Sequence, residues 1–245
     1  MPKATLRFYE ELNDFLPRHR KKIDFEAEFV GKRSIKDMIE AMGVPHTEVD
    51  LILANGKSVD FKYILQGGDR ISVYPVFESI NIEGITRLRK VPLRRTRFIA
   101  DSNIRDVVKY MRALGLDVYF DPSLSRMEII EVSRNEKRII LTKSKNLLKF
   151  TQVTHGIYLR PGTTAEQIKR VVDALEIRDK VSPFSRCLCC NTPLEKVSKE
   201  VVEDRVPPKV RTSCNEYTYC RSCDQVYWKG THFMKMKRVI DQILE

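Results

Sequence analysis

Two cysteine pairs, Cys187 with Cys190 and Cys220 with Cys223, constrain this 245-residue chain more than any other feature. Each pair has CxxC spacing, and 29 residues separate Cys190 from Cys220. Four thiolates so spaced can close tetrahedrally around one zinc, and a full thiolate shell leaves no position for a reacting water, so such a site is structural. All six cysteines lie after residue 186, which places the last quarter of the chain under a different constraint from the rest. In a reducing compartment four of them are expected to hold metal rather than to form two disulfides. Cys189 and Cys214 are left over. Either can compete as a ligand, but adjacent Cys189 and Cys190 cannot form an ordinary knuckle, and CxxC phasing favours Cys187 and Cys190. A module this small buries little core, so the metal is expected to supply much of its folding free energy. The run VPPKVRTSCNEYTY between the knuckles reads as strand and turn.

The remaining length suggests two further folding units. Hydrophobic residues make up 42% of the chain and charged ones 31%, enough for packed cores. Lys and Arg number 44 against 33 Asp and Glu, a formal charge of +11 that favours a polyanionic partner such as nucleic acid. No apolar run approaches the roughly eighteen residues a membrane span needs, and MPKATLRFYEELNDFL lacks the apolar centre of a signal peptide. The expectation is a soluble cytoplasmic protein with no membrane partner.

From the front, Ala4 to Tyr9 and Ile23 to Val30 alternate in the period of half-buried strands and read as a hairpin with a long turn. Ser34 stands three residues before Asp37 as a helix N-cap, Ile35, Met38, Ile39 and Met42 recur at helical spacing, and Gly43 marks the stop. Two strands then flank Asn55-Gly56, and after Gly67-Gly68-Asp69 a last strand runs from Arg70 to Phe77. This β, β, α, β, β order, with the GGDRISVYPVF ending, resembles the ubiquitin-like β-grasp fold of sulfur-carrier proteins over residues 1–80. Those carriers end in a free Gly-Gly, whereas this chain runs on through Val76, Phe77 and Glu78. The resemblance therefore implies a docking module for a protein partner rather than a conjugation tail.

Residues 81–96 read as a basic linker. From Gly84 to Arg97 there is no acid, and Arg87, Arg89, Lys90, Arg94 and Arg95 are candidate phosphate contacts. The second unit, 97–184, opens with a strand from Arg97 to Ala100. A helix follows with Val107, Val108, Met111 and Leu114 on one face and Gly115 as its stop, then a strand at Asp117. Next come a helix from about Leu124 to Asn135, the RIILT strand, a short helix around Leu147 and the strand GIYLR. Thr163 or Thr164 caps a last helix carrying Ile168, Val171, Val172 and Leu175. Alternating helices and apolar strands imply a parallel α/β sheet covered on both faces. Residues 185–245 form the cysteine module. There Tyr227, Trp228 and Phe233 with Lys229, His232, Lys235, Lys237 and Arg238 make an aromatic and basic surface suited to stacking bases and neutralising phosphates, with Trp228 assigned to packing.

RFIADSNIRDVVKYMRALGLDV, KRIILTKS, SRCLCCNTPLEKVSKEVVEDRVPP and YCRSCDQVYWKGTHFMKM resemble the Mut-seven C-terminal family over residues 97–240. That family joins a PIN-like nuclease domain to a zinc ribbon, often behind a β-grasp domain. The resemblance implies an RNA-binding protein that hydrolyses RNA with Mg²⁺ or Mn²⁺ held by converging carboxylates. Asp101 matches its leading aspartate and Asp117 a second acid. The family's Leu-Thr-Arg-Asp element, however, reads Leu141-Thr142-Lys143-Ser144 here, and Arg126 replaces the acid expected at the preceding helix start, leaving Glu128 as a substitute. The catalytic candidates are thus Asp101, Asp117 and Glu128, and Lys143, Lys229 and Lys235 join the candidate RNA contacts. Arg126 and Ser144 imply a degraded acidic site. The alternative is a noncatalytic RNA-binding or protein-interaction adaptor.

Overall fold

The computed structural model describes residues 1–75, 88 and 96–245. It divides into two compact units. One combines the residues before Thr96 with Ile140–Tyr158, and the other combines Thr96–Ile139 with Leu159–Glu245.

In the first unit, strands β1 (Lys3–Phe8) and β2 (Phe25–Glu28) pair antiparallel, and two 3-10 turns, Glu10–Phe15 and Arg18–Arg20, fill the connection. Helix α1 (Ile35–Ala41) begins where Ser34 accepts the Asp37 amide, and Gly43, at φ +95°, follows its end. The hairpin of β3 (Val49–Ala54) and β4 (Lys57–Ser58) turns through Asn55 and Gly56, at φ +51° and +80°, the two left-handed residues a tight hairpin needs. Strand β5 (Arg70–Pro75) enters the middle of the sheet, parallel to β1 and antiparallel to β3, giving the order β2-β1-β5-β3-β4. Alternate residues Leu6, Phe8, Ile71 and Val73 are fully buried with Ile35, Met38 and Ile39 in one core. This is the β-grasp arrangement. Asp69 fixes the return turn, accepting from Asn55 Nδ2 at 2.8 Å, Tyr63 Oη at 3.0 Å and the Gln66 amide at 2.7 Å. Val76 and Phe77, the expected end of the last strand, lie outside the described residues.

The α/β elements run β6 (Arg97–Ala100), α2 (Arg105–Ala113), β7 (Asp117–Tyr119), α3 (Arg126–Glu136), β8 (Ile139–Thr142), α4 (Lys145–Leu148), β9 (Gly156–Tyr158) and α5 (Thr164–Ala174). Their strands pair parallel, β6 with β7 in the second unit and β8 with β9 in the first. Strand β6 sets Arg97 opposite Asp117 of β7, and β8 sets Ile140 opposite Gly156 of β9. The all-buried runs Phe98–Ala100 and Ile139–Thr142 are what a sheet covered on both faces requires. Ser125 and Thr163 start α3 and α5 as full capping boxes with Glu128 and Glu166.

Within the first unit, β9 meets the 3-10 turn His46–Glu48: Glu48 Oε1 accepts the Tyr158 amide at 2.6 Å. His46 lies between Glu40 Oε1, 2.7 Å from its Nδ1, and the Val153 carbonyl, 3.0 Å from its Nε2.

The last part of the chain is a three-stranded antiparallel ribbon, β10 (Glu195–Val197), β11 (Tyr217–Tyr219) and β12 (Val226–Trp228), with a small core around Val202, Val206 and Tyr217. The run expected as strand and turn holds a short helix as well as a strand. Pro208 opens α6 (Pro208–Ser213), where its missing N–H costs nothing, and only Tyr217–Tyr219 is strand. The chain ends in α7 (Thr231–Leu244), which turns Met236, Ile240 and Ile243 inward and packs on α5 and α2. Phe184 packs against Phe233 with ring centroids 4.2 Å apart and planes tilted by 37°. Among the described residues no helix is long and apolar enough to cross a membrane.

Candidate metal centre and acidic site

Cys187, Cys190, Cys220 and Cys223 converge, their sulfurs all within 4.8 Å of one another. Cys187 and Cys223 approach to 3.4 Å and Cys190 and Cys220 to 3.3 Å. A disulfide needs about 2.05 Å, whereas four sulfurs about 2.3 Å from one central ion stand about 3.8 Å apart, so the spacing fits a tetrahedral thiolate cage. The two knuckles share one backbone design. The Asn191 amide donates to Cys187 O at 3.1 Å, and the Asp224 amide to Cys220 O at 2.9 Å. Asn191 and Asp224 are both left-handed, at φ +72° and +61°, a conformation Asn and Asp tolerate better than other side chains. The acid–base balance also calls for a cation. Burial, opposed and outweighed by the Thr192 hydroxyl and amide, leaves Cys190 lowered to about 6. Burial and the neighbouring sulfurs push Cys223 well above the ordinary thiol range. Four sulfurs this close do not all ionise without a positive charge among them. Tyr227 supports the cage: its hydroxyl lies 3.1 Å from Cys187 Sγ and accepts the Leu188 amide at 3.1 Å.

Around the first knuckle lies a set of residues that the motif reading passed over. Arg112 on α2 is 3% exposed. Its Nε and Nη2 donate to Val118 O at 3.0 and 2.9 Å, and its Nη1 to Leu188 O at 3.1 Å and Cys189 O at 2.6 Å. Burial holds its pKa below the usual arginine value, against the opposing charges of Cys187, Cys190, Cys189 and Asp117. The sequence did carry a signal: Arg112 is one turn after Val108 on the apolar stripe of α2, where a charge must find buried partners. Asn191 Oδ1 accepts the Val118 amide at 3.0 Å, and its Nδ2 donates to Asp117 Oδ1 at 2.8 Å. Gly115, at φ +84°, allows the chain to pass closely over the end of α2; any Cβ there would overlap Ser182 O.

The structure does not bring Asp117 together with Asp101. Parallel pairing puts Asp117 opposite Arg97 at the start of β6, while Asp101 follows the end of that strand, about 13 Å further along at 3.3 Å per residue. Asp117 is also engaged. Arg138 Nη1 donates to it at 2.7 Å, and Arg97 and Arg186 stand at 3.8 and 3.9 Å. Burial would raise its pKa, but the hydrogen bonds from Arg138 and Asn191 and the charges of Arg138 and Arg186 outweigh it, leaving the carboxyl below the ordinary range. The geometry gives it the place of an internal anchor.

Asp101 sits at the carboxyl end of β6, where its Oδ1 accepts the Ser102 amide at 2.7 Å and caps the 3-10 turn Ser102–Ile104. Glu128 begins α3, which leaves the carboxyl end of parallel β7, so it shares that end with Asp101. Its Oε2 is already taken by the Ser125 amide at 2.7 Å, which with the Ser125 hydroxyl lowers its pKa. Ser144, where the resembled element has an acid, caps α4 through the Leu147 amide, and Lys143 beside it is exposed. Among the described residues, the cysteine set is the one group of three or more potential ligands close enough to share a metal. Arg87, Arg89, Lys90, Arg94 and Arg95 lie outside the described residues. Lys235 is exposed on α7, while Lys229 is exposed but paired with Glu216 at 2.5 Å.

The Mut7-C RNAse domain matches residues 96–240, and the Mut7-C ubiquitin domain matches residues 1–81. No curated protein and no solved structure matches the chain.

Proposed function

The chain belongs to the Mut7-C RNAse family, with a Mut7-C ubiquitin domain in front, and from that membership we propose that it is an RNA-binding protein of the PIN-like ribonuclease type whose acidic site is depleted. It holds RNA and cuts it slowly or not at all. The supporting observation is the engagement of Asp117 by Arg138 and Asn191 at the end of β7 remote from Asp101. Hydrolysis by divalent metal draws on several carboxylates converging at one strand end. Here that end offers Asp101 and Glu128, and the sequence element that carries an acid in the family reads Lys143-Ser144. Asp101 and Glu128 are the residues that would hold Mg²⁺ or Mn²⁺, which supplies an oriented water and neutralises charge on the scissile phosphate.

We assign zinc to the four cysteines because a closed thiolate cage suits a structural zinc. Six free thiols fit a reducing compartment, and we place the protein in the cytoplasm. The β-grasp domain is read as a docking module for a protein partner. Lys143, Lys229, Lys235 and the arginines and lysine of the linker remain the proposed RNA contacts.

The test is cleavage and binding of single-stranded RNA with Mn²⁺ by the full chain and by Asp101→Asn. The expected result is binding by both proteins with little or no cleavage by either. Rapid Mn²⁺-dependent cleavage lost in Asp101→Asn would overturn the depleted site, and absence of binding at low salt would overturn the RNA reading.

A further inference from the structure

Strand β7 is three residues long and pairs with β6 along one side. Both backbone groups of its central residue are met by side chains: the Val118 amide by Asn191 Oδ1, and the Val118 carbonyl by two N–H groups of Arg112. The same two side chains are bound into the first knuckle. Asn191 follows Cys190 directly, and the other donors of Arg112 reach the carbonyls of Leu188 and Cys189, the two residues between the ligands. Asn191 also holds Asp117, the first residue of β7. The chain entering the knuckle is fastened to the end of α2 as well. Ser182 N donates to Leu114 O at 2.9 Å, Phe184 N to Ala113 O at 2.6 Å, and Arg186 Nε to Gly115 O at 3.1 Å.

We propose that the first knuckle acts as the missing outer neighbour of β7, so that metal held by Cys187 and Cys190 fixes the edge of the α/β core as well as the ribbon. The inference rests on the reading of the four cysteines as a zinc site. The carbonyls of Leu188 and Cys189 point together toward Arg112 because the knuckle turn is closed, and the metal is what keeps it closed. Opening the turn takes two acceptors from a buried guanidinium and one acceptor from a strand amide, and buried donors left unmet are costly. The coupling is reciprocal: whatever metal contributes to the order of β7, an intact β7 edge returns to metal affinity. Arg112 and Asn191 are therefore positioning residues for the metal site, although neither is a ligand.

The experiment uses the full chain. Elemental analysis first establishes about one zinc per chain; absence of metal would overturn the zinc reading and this proposal together. Amide exchange is then compared with zinc bound and after removal by a chelator under reducing conditions. Val118 should lose its protection together with Asn191, while Leu6, Ile71 and Val73 in the β-grasp sheet keep theirs. Val118 remaining protected without metal would overturn the coupling while leaving the zinc reading intact. Two variants give the converse measurement by competition with a chromogenic chelator. Arg112→Lys keeps the charge and removes the planar fork, and Asn191→Gly keeps the left-handed backbone and removes the amide. Each should weaken zinc affinity about 10- to 100-fold. Affinities within about twofold of the parent would overturn the proposal. Should a variant fail to fold, exchange in the parent protein still decides.

Discussion

Asp117 carries a pH dependence of defined sign. Its carboxyl titrates below the usual range when folded, because hydrogen bonds from Arg138 and Asn191 outweigh burial. A depressed folded pKa contributes stability that is fully present above the unfolded value of about 3.9 and is lost as pH falls through the folded value. Asp117→Asn should therefore cost about 2 kcal/mol in urea unfolding at pH 7, since it withdraws the charge from a partly buried pair. The gap to the parent should narrow below about pH 4, and a gap independent of pH would show that the charge is not what matters. Motif position names this residue as a candidate catalytic acid and says nothing of its partners. Arg138 is 21 residues away and Asn191 is 74. The convergence of the four cysteines was legible because CxxC spacing is a local geometric demand that the motif itself displays.

Elements whose ends are set within one turn were also readable. Ser34 and Thr163 each bond an amide three residues on, and Asn55-Gly56 supplies its own left-handed pair. Helix α6 lies in a run expected as strand and turn, where Pro208 at the first helical position fits a helix. Contacts between elements are illegible for a further reason: nothing local in β9 announces that Glu48, 110 residues earlier, will accept its Tyr158 amide. That contact makes a prediction. Glu48 is 9% exposed, so Glu48→Ala leaves a strand amide without its acceptor and should destabilise the chain by about 1–3 kcal/mol. Faster amide exchange at Tyr158 would accompany the loss, and unchanged exchange there would count against a role for Glu48 in holding β9.

At the scale of the molecule, the positive charge and the family set the expected behaviour toward RNA. The formal charge of +11 favours a polyanionic partner, and on the proposed RNA reading the contact is phosphate-driven. If about five phosphates are neutralised, raising salt from about 50 to 200 mM should weaken single-strand binding by about 100-fold. A salt-independent affinity in filter binding or anisotropy would argue for base stacking or a protein partner instead. The sequence suggested separate α/β and cysteine modules. The second compact unit nevertheless holds both the core strands β6 and β7 and the whole ribbon, with α7 packed back on α5 and α2. Composition revealed that the cysteine-bearing tail differs chemically, but composition carries no information about what that tail rests on.

The occupied outer rung of β7 bears on colloidal behaviour too. A bare strand margin is a template on which another copy can build. With Asn191 and Arg112 in place, Val118 offers a passing molecule nothing to bond. On the proposal that metal at the first knuckle holds this edge, thiol oxidation or metal starvation would uncover that rung, and self-association is expected to begin at the sheet margin.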